Sequence, residues 1–141
     1  MAGHVLIDAG PMVALIDRRE RRHLDCVAAL RQVAGPLLTT WPVVTEAMHL
    51  LADAGWPAQR LLWELVASDD VELAELDGTA AVRARALMEK YRDLPMDLAD
   101  ASLVAVAESR RVRRVLTLDG HFRVYRTTAR DGFEVLPAPV S

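Results

Sequence analysis

The sequence predicts an α/β fold, a three-layer α/β/α sandwich around a central, mostly parallel β-sheet, in one domain over residues 1–141. Three observations predict it. Short β-branched apolar runs alternate with longer segments of helical period, the pattern of right-handed βαβ crossovers that build parallel sheets. Proline and glycine punctuate the boundaries between the two kinds of segment. Hydrophobic residues make up 52% of the chain but aromatics only 5%, enough side chain for one core of Leu, Val and Ala.

The elements follow in order. His4-Val5-Leu6-Ile7 is a short apolar run that stops at Asp8 and reads as a buried strand. Gly10-Pro11 breaks it, and a helix runs from Met12 to Asp17, with Pro in its first turn. A second helix spans Leu24 to Val33, its inner face made of Leu24, Val27, Ala28 and Leu30. Leu37-Leu38-Thr39 is the second strand. Pro42 opens a helix that runs to about Ala54 and ends near Gly55; Pro57 opens another, striped by Leu61, Leu62, Leu65 and Val66. Val71-Glu72-Leu73 is a short strand, Thr79 to Tyr91 a helix ending before Pro95. Asp97 to Glu108 is apolar nearly all round, hence a buried helix. Val115 to Leu118 is a strand ending at Asp119, and Glu134-Val135-Leu136 a last edge strand stopped by Pro137.

The net charge is −3 and the pI about 5.8, a balance that does not advertise a basic nucleic-acid-binding domain but permits a local basic patch. Cys26 is the only cysteine, so no internal disulfide forms, which fits a reducing compartment. No apolar run approaches the roughly 20 residues that span a bilayer. A soluble, cytoplasmic protein with no membrane association is expected.

In an open parallel sheet, ligands gather beyond the carboxyl ends of the strands. Asp8 ends the first strand and Asp119 a later one. Asp100 lies in the first turn of the buried helix, and Glu46 one turn into the helix opened by Pro42. Each acid alone has a plain structural role: an Asp after a strand caps the next helix, and Asp97 with Asp100 has the spacing of a variant capping box. Asp119 is followed by Gly120 and by no clear helix to cap. Brought together, four carboxylates cannot all stay ionised without compensation, and a bound cation supplies it. All-oxygen ligands suit Mg²⁺ or Mn²⁺. Two such ions about 4 Å apart activate a water and stabilise the leaving oxygen in phosphodiester hydrolysis.

Four segments occur here in a recognisable order: Ile7-Asp8 at the end of the first strand, Thr45-Glu46-Ala47-Met48-His49-Leu50-Leu51, Leu98-Ala99-Asp100-Ala101-Ser102 with its apolar continuation, and Leu116-Thr117-Leu118-Asp119-Gly120-His121-Phe122. In these the chain resembles PIN-domain proteins, and more narrowly the toxins of VapBC-type toxin–antitoxin pairs, from Val5 to about Phe133. The resemblance implies a homodimeric, Mg²⁺- or Mn²⁺-dependent endoribonuclease acting on RNA. It also implies a small VapB-like antitoxin whose C-terminal segment lies across the active site. The family's acids map onto Asp8, Glu46, Asp100 and Asp119 as metal ligands and catalytic groups, with Asp97 a candidate further ligand. Thr117 is assigned to support the last acid through its hydroxyl. Many relatives carry Ser or Thr after the first acid; here Ala9 stands in that place. Cleavage is expected to leave a 5′-phosphate and a 3′-hydroxyl.

Other groups were weighed against this reading. Arg18, Arg19, Arg21 and Arg22 form one basic run, read as a solvated face. Arg110, Arg111, Arg113 and Arg114 form another, equally a solvated face or a phosphate contact, with Arg123, Arg126 and Arg130 as further candidates near Asp119. Arg113, Arg114 and Arg123 are the RNA-binding expectations. Glu46 and His49 have the spacing of a di-iron helix motif, but the required second copy is missing. His121 is read as a loop residue. Trp41, Trp56 and Trp63 are read as core or dimer packing, and Cys26 as a packed apolar side chain. A phosphoacceptor receiver needs a Lys at the site, and Lys90 is the only lysine, late in a helix. A dinucleotide-binding domain needs a Gly-x-Gly-x-x-Gly after the first strand. A haloacid-dehalogenase-type phosphatase needs an Asp where Gly10 stands. The remaining alternative is a PIN fold kept as a binding module with little or no catalysis.

Overall fold

The computed structural model describes residues 4–137. Every expected strand is present and short: β1 (Val5–Ile7), β2 (Leu37–Thr39), β3 (Val71–Leu73), β4 (Arg114–Leu116) and β5 (Glu134–Leu136). They form one sheet in the order β3-β2-β1-β4-β5, and every pairing is parallel. Leu6 pairs with Leu38 on one side and Val115 on the other, which makes β1 the central strand, fully buried on both faces.

Among the described residues six α-helices connect and cover the sheet: α1 (Ala9–Ile16), α2 (His23–Leu30), α3 (Trp41–Leu50), α4 (Trp56–Ala67), α5 (Gly78–Lys90) and α6 (Leu98–Arg110). The chain steps from β1 to β2 to β3 through α1 to α4, then crosses back over two strands to β4 through α5 and α6. A right-handed connection can reverse direction in this way only over the opposite face of the sheet, which gives the three layers. α1 packs against α2, α3 and α4, α5 against α6, and α3 also meets α6. α6 is buried along most of its length, as its all-round apolar pattern predicts.

Local chemistry explains the departures from the expected boundaries. α1 begins at Ala9 because the Asp8 side chain already caps it. The long helix expected from Pro42 stops at Leu50; a tight 3-10 turn follows at Ala52–Ala54, and Gly55, at φ 87°, turns the chain into a left-handed conformation that ends it. In α2 the expected inner face is wrong. Leu24 is 77% exposed, and the buried residues are Cys26 and Ala29, backed by Leu30 and Val33. Both stripes have helical period, but the smaller side chains let α2 approach α1, and His23 Nδ1, 2.6 Å from the Ala14 carbonyl, fixes that rotation. None of the three tryptophans is in the core. Trp41 and Trp63 pair at 6.2 Å between ring centroids on the outer surface of α3 and α4, and Trp56 lies exposed at the start of α4.

Buried hydroxyls tie the sheet to its neighbours at one end. The Thr39 hydroxyl donates to the Ile7 carbonyl at 3.0 Å, across β2 and β1. Thr40 Oγ1 lies 2.6 Å from Ser102 Oγ on α6. Ser102 uses its own proton on the Ala99 carbonyl at 2.7 Å, so Thr40 is the donor. This is the end to which the strands point their carboxyl termini.

Candidate active site

Strand order reverses between β1 and β4, and the crevice beyond their carboxyl ends is the natural ligand position of such a sheet. Asp8 leaves β1 there. Its backbone N–H still belongs to the sheet, donating to the Leu116 carbonyl at 2.9 Å. Both carboxylate oxygens are held: Oδ1 accepts from the Ala9 N–H and Oδ2 from the Thr117 hydroxyl, each at 2.8 Å. Ala9 offers no side-chain hydroxyl, and its backbone N–H together with Thr117 holds the carboxyl.

Thr117 follows β4 and is buried. The resemblance assigns its hydroxyl to the last acid. In the structure its proton goes to the first acid, Asp8, while its oxygen accepts the Asp119 backbone N–H at 3.0 Å. One hydroxyl therefore fixes the spacing between the two strand ends that carry acids. Asp119 lies just beyond, and it is a cap after all: Oδ1 accepts from the His121 N–H at 2.9 Å, opening a 3-10 turn over Gly120–Arg123 that the sequence did not announce. His121 Nδ1 stands 3.4 Å from the same oxygen.

The start of α6 brings two further acids. Asp97 caps the helix, accepting from the Asp100 N–H at 2.8 Å. Asp100 sits in the first turn, buried, and its Oδ2 accepts from the Tyr125 hydroxyl at 2.9 Å. Tyr125 is fully buried, its ring against Tyr91 and Phe122 at 5.0 and 5.1 Å between centroids. Tyr125 was missed in the sequence. The available signal was slight: a tyrosine in an aromatic-poor chain needs a partner for its hydroxyl once its ring is buried. Glu46, half-buried on α3, faces the same group of charges.

The electrostatics show that these carboxyls share one space. Burial pushes Asp100 up to about 8, and the charges of Asp8 and Asp97 push the same way; the Tyr125 hydroxyl opposes them. Burial also raises Asp8, against the pull of Thr117 and Ala9, with Asp119 and Asp97 adding to the rise. Glu46 is raised by burial first, then by Asp97, Asp8 and Asp119. Burial and the Asp100 charge push the Tyr125 hydroxyl above its ordinary range, so it stays a donor. The main influences on these acids are burial, other acids, hydroxyls and backbone N–H groups; no cation is among them.

Among the described residues, no group of three or more His, Cys, Asp or Glu side chains stands at chelating spacing. The acids form an open cluster, as mutually repelling carboxyls do. The donor set is nonetheless all oxygen and uncompensated, which fits hard divalent ions such as Mg²⁺ or Mn²⁺.

The arginines sort by position. Arg113 and Arg114 lie at the opening of β4, the opposite end of the sheet from the acids. There Arg113 Nε donates to the Gly132 carbonyl and Arg114 pairs with Glu134 at 3.3 Å. They do not reach the site. Arg126 is occupied too, donating to the carbonyls of Arg123, Val124 and Tyr125. Arg123 does flank the acids, in a cleft shared with Thr117 and Asp119.

Comparison with known proteins identifies the family and the fold. Residues 5–127 match the family described as PIN domain. Ribonuclease VapC26 of Mycobacterium tuberculosis is 30% identical over 135 residues, which cover 94% of this chain and 100% of that protein. The crystal structure of M. tuberculosis VapC20, described as a Sarcin-Ricin loop cleaving toxin, superposes with a TM-score of 0.77 at 18% identity, covering 82% of this chain and 90% of that one. VapBC2 from Rickettsia felis, solved bound to a DNA fragment from its promoter, gives a TM-score of 0.65 at 10% identity over 94% of this chain and 98% of its own. At these identities the solved structures speak for the fold.

Proposed function

The chain belongs to the PIN-domain family, and on that premise we propose that it is a VapC-type endoribonuclease, the toxin of a toxin–antitoxin pair, that uses Mg²⁺ or Mn²⁺. One observation carries the reading: Asp8, Glu46 and Asp100 stand with Asp97 and Asp119 where strand order reverses, and burial together with the neighbouring acidic charges raises Asp8, Glu46 and Asp100 with no basic side chain among the causes. Two of these acids, Asp8 and Asp100, are buried, and buried carboxylates cost stability unless they meet positive charge. The curated VapC relative, alike over nearly the whole chain, supports the nuclease assignment.

Asp8, Asp100, Asp119 and Glu46 would hold the metal, with Asp97 at the rim. When bound, Mg²⁺ or Mn²⁺ supplies an activated water and offsets the negative charge that builds on the departing oxygen. The protein's own contribution is placement. Thr117 and Ala9 keep the Asp8 carboxyl from rotating, and Tyr125 does the same for Asp100. The net reaction adds the water oxygen to phosphorus and breaks the bond to the 3′ oxygen, which leaves with a proton; the products carry a 5′-phosphate and a 3′-hydroxyl.

An antitoxin partner follows from membership of the VapC type. Homodimerisation is supported by the apolar outer surface of α3 and α4, where Trp41, Trp56, Leu61 and Trp63 are each 45% to 61% exposed.

The test is cleavage of a structured RNA mixture by the purified chain in Mg²⁺, in Mn²⁺ and in EDTA, beside Asp8→Asn. Metal-dependent cuts with 5′-phosphate ends, absent from the variant, are expected. Parental cleavage by Asp8→Asn would place the chemistry elsewhere. Folded protein that cuts no RNA under any metal would leave the fold as a binding module.

A further inference from the structure

A cleft of about 540 Å³ opens beside the acids, walled on one side by Thr117, Asp119 and Arg123 and on the other by Arg21, Arg22 and Asp25. The second wall comes from the end of the connection between α1 and α2 and the first turn of α2, remote in sequence from the first. We propose that this cleft is the track along which the RNA backbone leaves the acidic cluster, with Arg21, Arg22 and Arg123 holding its phosphates. The proposal rests on the ribonuclease reading and names where the strand runs.

The ion pairs of the molecule show which arginines of the first basic run are committed elsewhere. In the basic run before α2, Arg19 is committed to Asp17 through contacts at 3.0 Å from Nε and its terminal nitrogen. Arg22 is anchored through Nε to Asp25 at 2.7 Å and lines the cleft, with its terminal nitrogens outside that bond. Arg21 and Arg123 are exposed and have no carboxylate salt-bridge partner among the described residues. The second basic run differs by position: Arg110 pairs with Glu72 and Arg114 with Glu134, and Arg113 and Arg114 stand at the opposite end of the sheet from the acids. A chain of net charge −3 thus keeps uncommitted guanidinium groups where they border its most acidic site.

That arrangement suits a polyanion that must be drawn toward carboxylates. Nucleotides next to the scissile bond bring negative charge, and the cluster repels them until metal is bound. Guanidinium groups fork onto phosphate oxygens and supply the attraction from the side, without entering the cluster. The cleft walls otherwise offer aliphatic side chains and few hydrogen-bond donors that read a base edge. The expected contact is therefore with backbone phosphates and is largely independent of base.

The experiment uses the full chain carrying Asp100→Asn, in Mg²⁺, titrated into a fluorescein-labelled single-stranded RNA of mixed sequence and followed by anisotropy at several salt concentrations. Arg21→Ala with Arg123→Ala is added in one variant, and Arg113→Ala with Arg114→Ala in a control. The cleft pair should weaken binding about tenfold at 0.1 M salt. It should also lower the slope of log K against log salt by about 1.4, since each single-strand phosphate contact contributes about 0.7. The control pair should change neither. In the otherwise unmutated enzyme, the cleft pair should raise KM and leave kcat in place. Unchanged affinity and slope in the cleft pair, with RNA still bound by the parent, would refute the track and leave the nuclease reading standing. A parent that neither binds nor cuts RNA would overturn both.

Discussion

Replacing Asp100 with Asn should stabilise the metal-free protein at neutral pH. The folded chain holds the Asp100 carboxyl at about 8, whereas an unfolded Asp titrates near 3.9. The folded state thus keeps a proton that the unfolded state releases. For a raised carboxyl the sign is fixed: its favourable contribution is complete below about pH 4 and is lost as pH climbs toward about 8. Between pH 5 and pH 7 the loss runs at about 1.4 kcal/mol per pH unit, so about 3 kcal/mol in all. For a chain of this size each kcal/mol moves the melting temperature by about 3 °C. Asn is neutral throughout and can still offer its amide oxygen to Tyr125. Melting in EDTA at pH 5 and pH 7 should therefore show the parent dropping about 8 °C further than Asp100→Asn. Asp8 and Glu46 titrate in both proteins, so the difference between the two isolates Asp100. Adding Mg²⁺ at pH 7 should raise the parent more than the variant, because the ion binds the folded state and supplies the missing charge. Parallel pH dependence in the two proteins would refute the picture of Asp100 as a strained, buried acid.

Two further substitutions probe how the acids are held. Tyr125→Phe removes the hydroxyl 2.9 Å from Asp100 Oδ2 while keeping the buried ring; Mn²⁺ affinity by calorimetry should fall about tenfold with the melting temperature little changed, and undiminished affinity would show the hydroxyl to be packing alone. Thr117→Val leaves the Asp119 N–H without its acceptor and Asp8 Oδ2 without its donor, so about 1 to 3 kcal/mol of stability should be lost in a denaturant titration. Thr117→Ser should restore it, and failure of Ser to do so would point to the methyl group instead.

The strands, their order along the chain and the buried α6 were legible because period and residue type are local signals. So was the gathering of Asp8, Asp100 and Asp119, since strand ends and helix starts in a parallel sheet fall together by topology. The rotation of α2 was not legible. Leu24 and Cys26 head stripes of equal period, and only the close approach of α1 chooses the smaller side chains. The stop near Gly55 was legible, but not the tightening of the last turn into a 3-10 turn at Ala52–Ala54, which residue type does not announce. Tyr125 was missed for a different reason: its meaning depends on contacts between segments far apart in sequence, which no single segment's spacing reveals. Each basic run holds two ion-paired arginines, so only their place in the fold separates the two.

The buried hydroxyls of Thr39, Thr40 and Thr117 have a consequence for how the molecule opens. Strands of three residues give each ladder few backbone bonds, so the sheet alone cannot be stiff. The hydroxyl links add cross-ties only at the carboxyl ends. Spontaneous local unfolding should therefore begin at the other end, where Arg114 and Glu134 are joined by a partly exposed ion pair, and travel toward the acids last. In amide exchange, the N–H of Asp8 should be among the slowest in the sheet. A site made of repelling charges would then occupy the most durable part of the protein, secured by neutral hydroxyl groups.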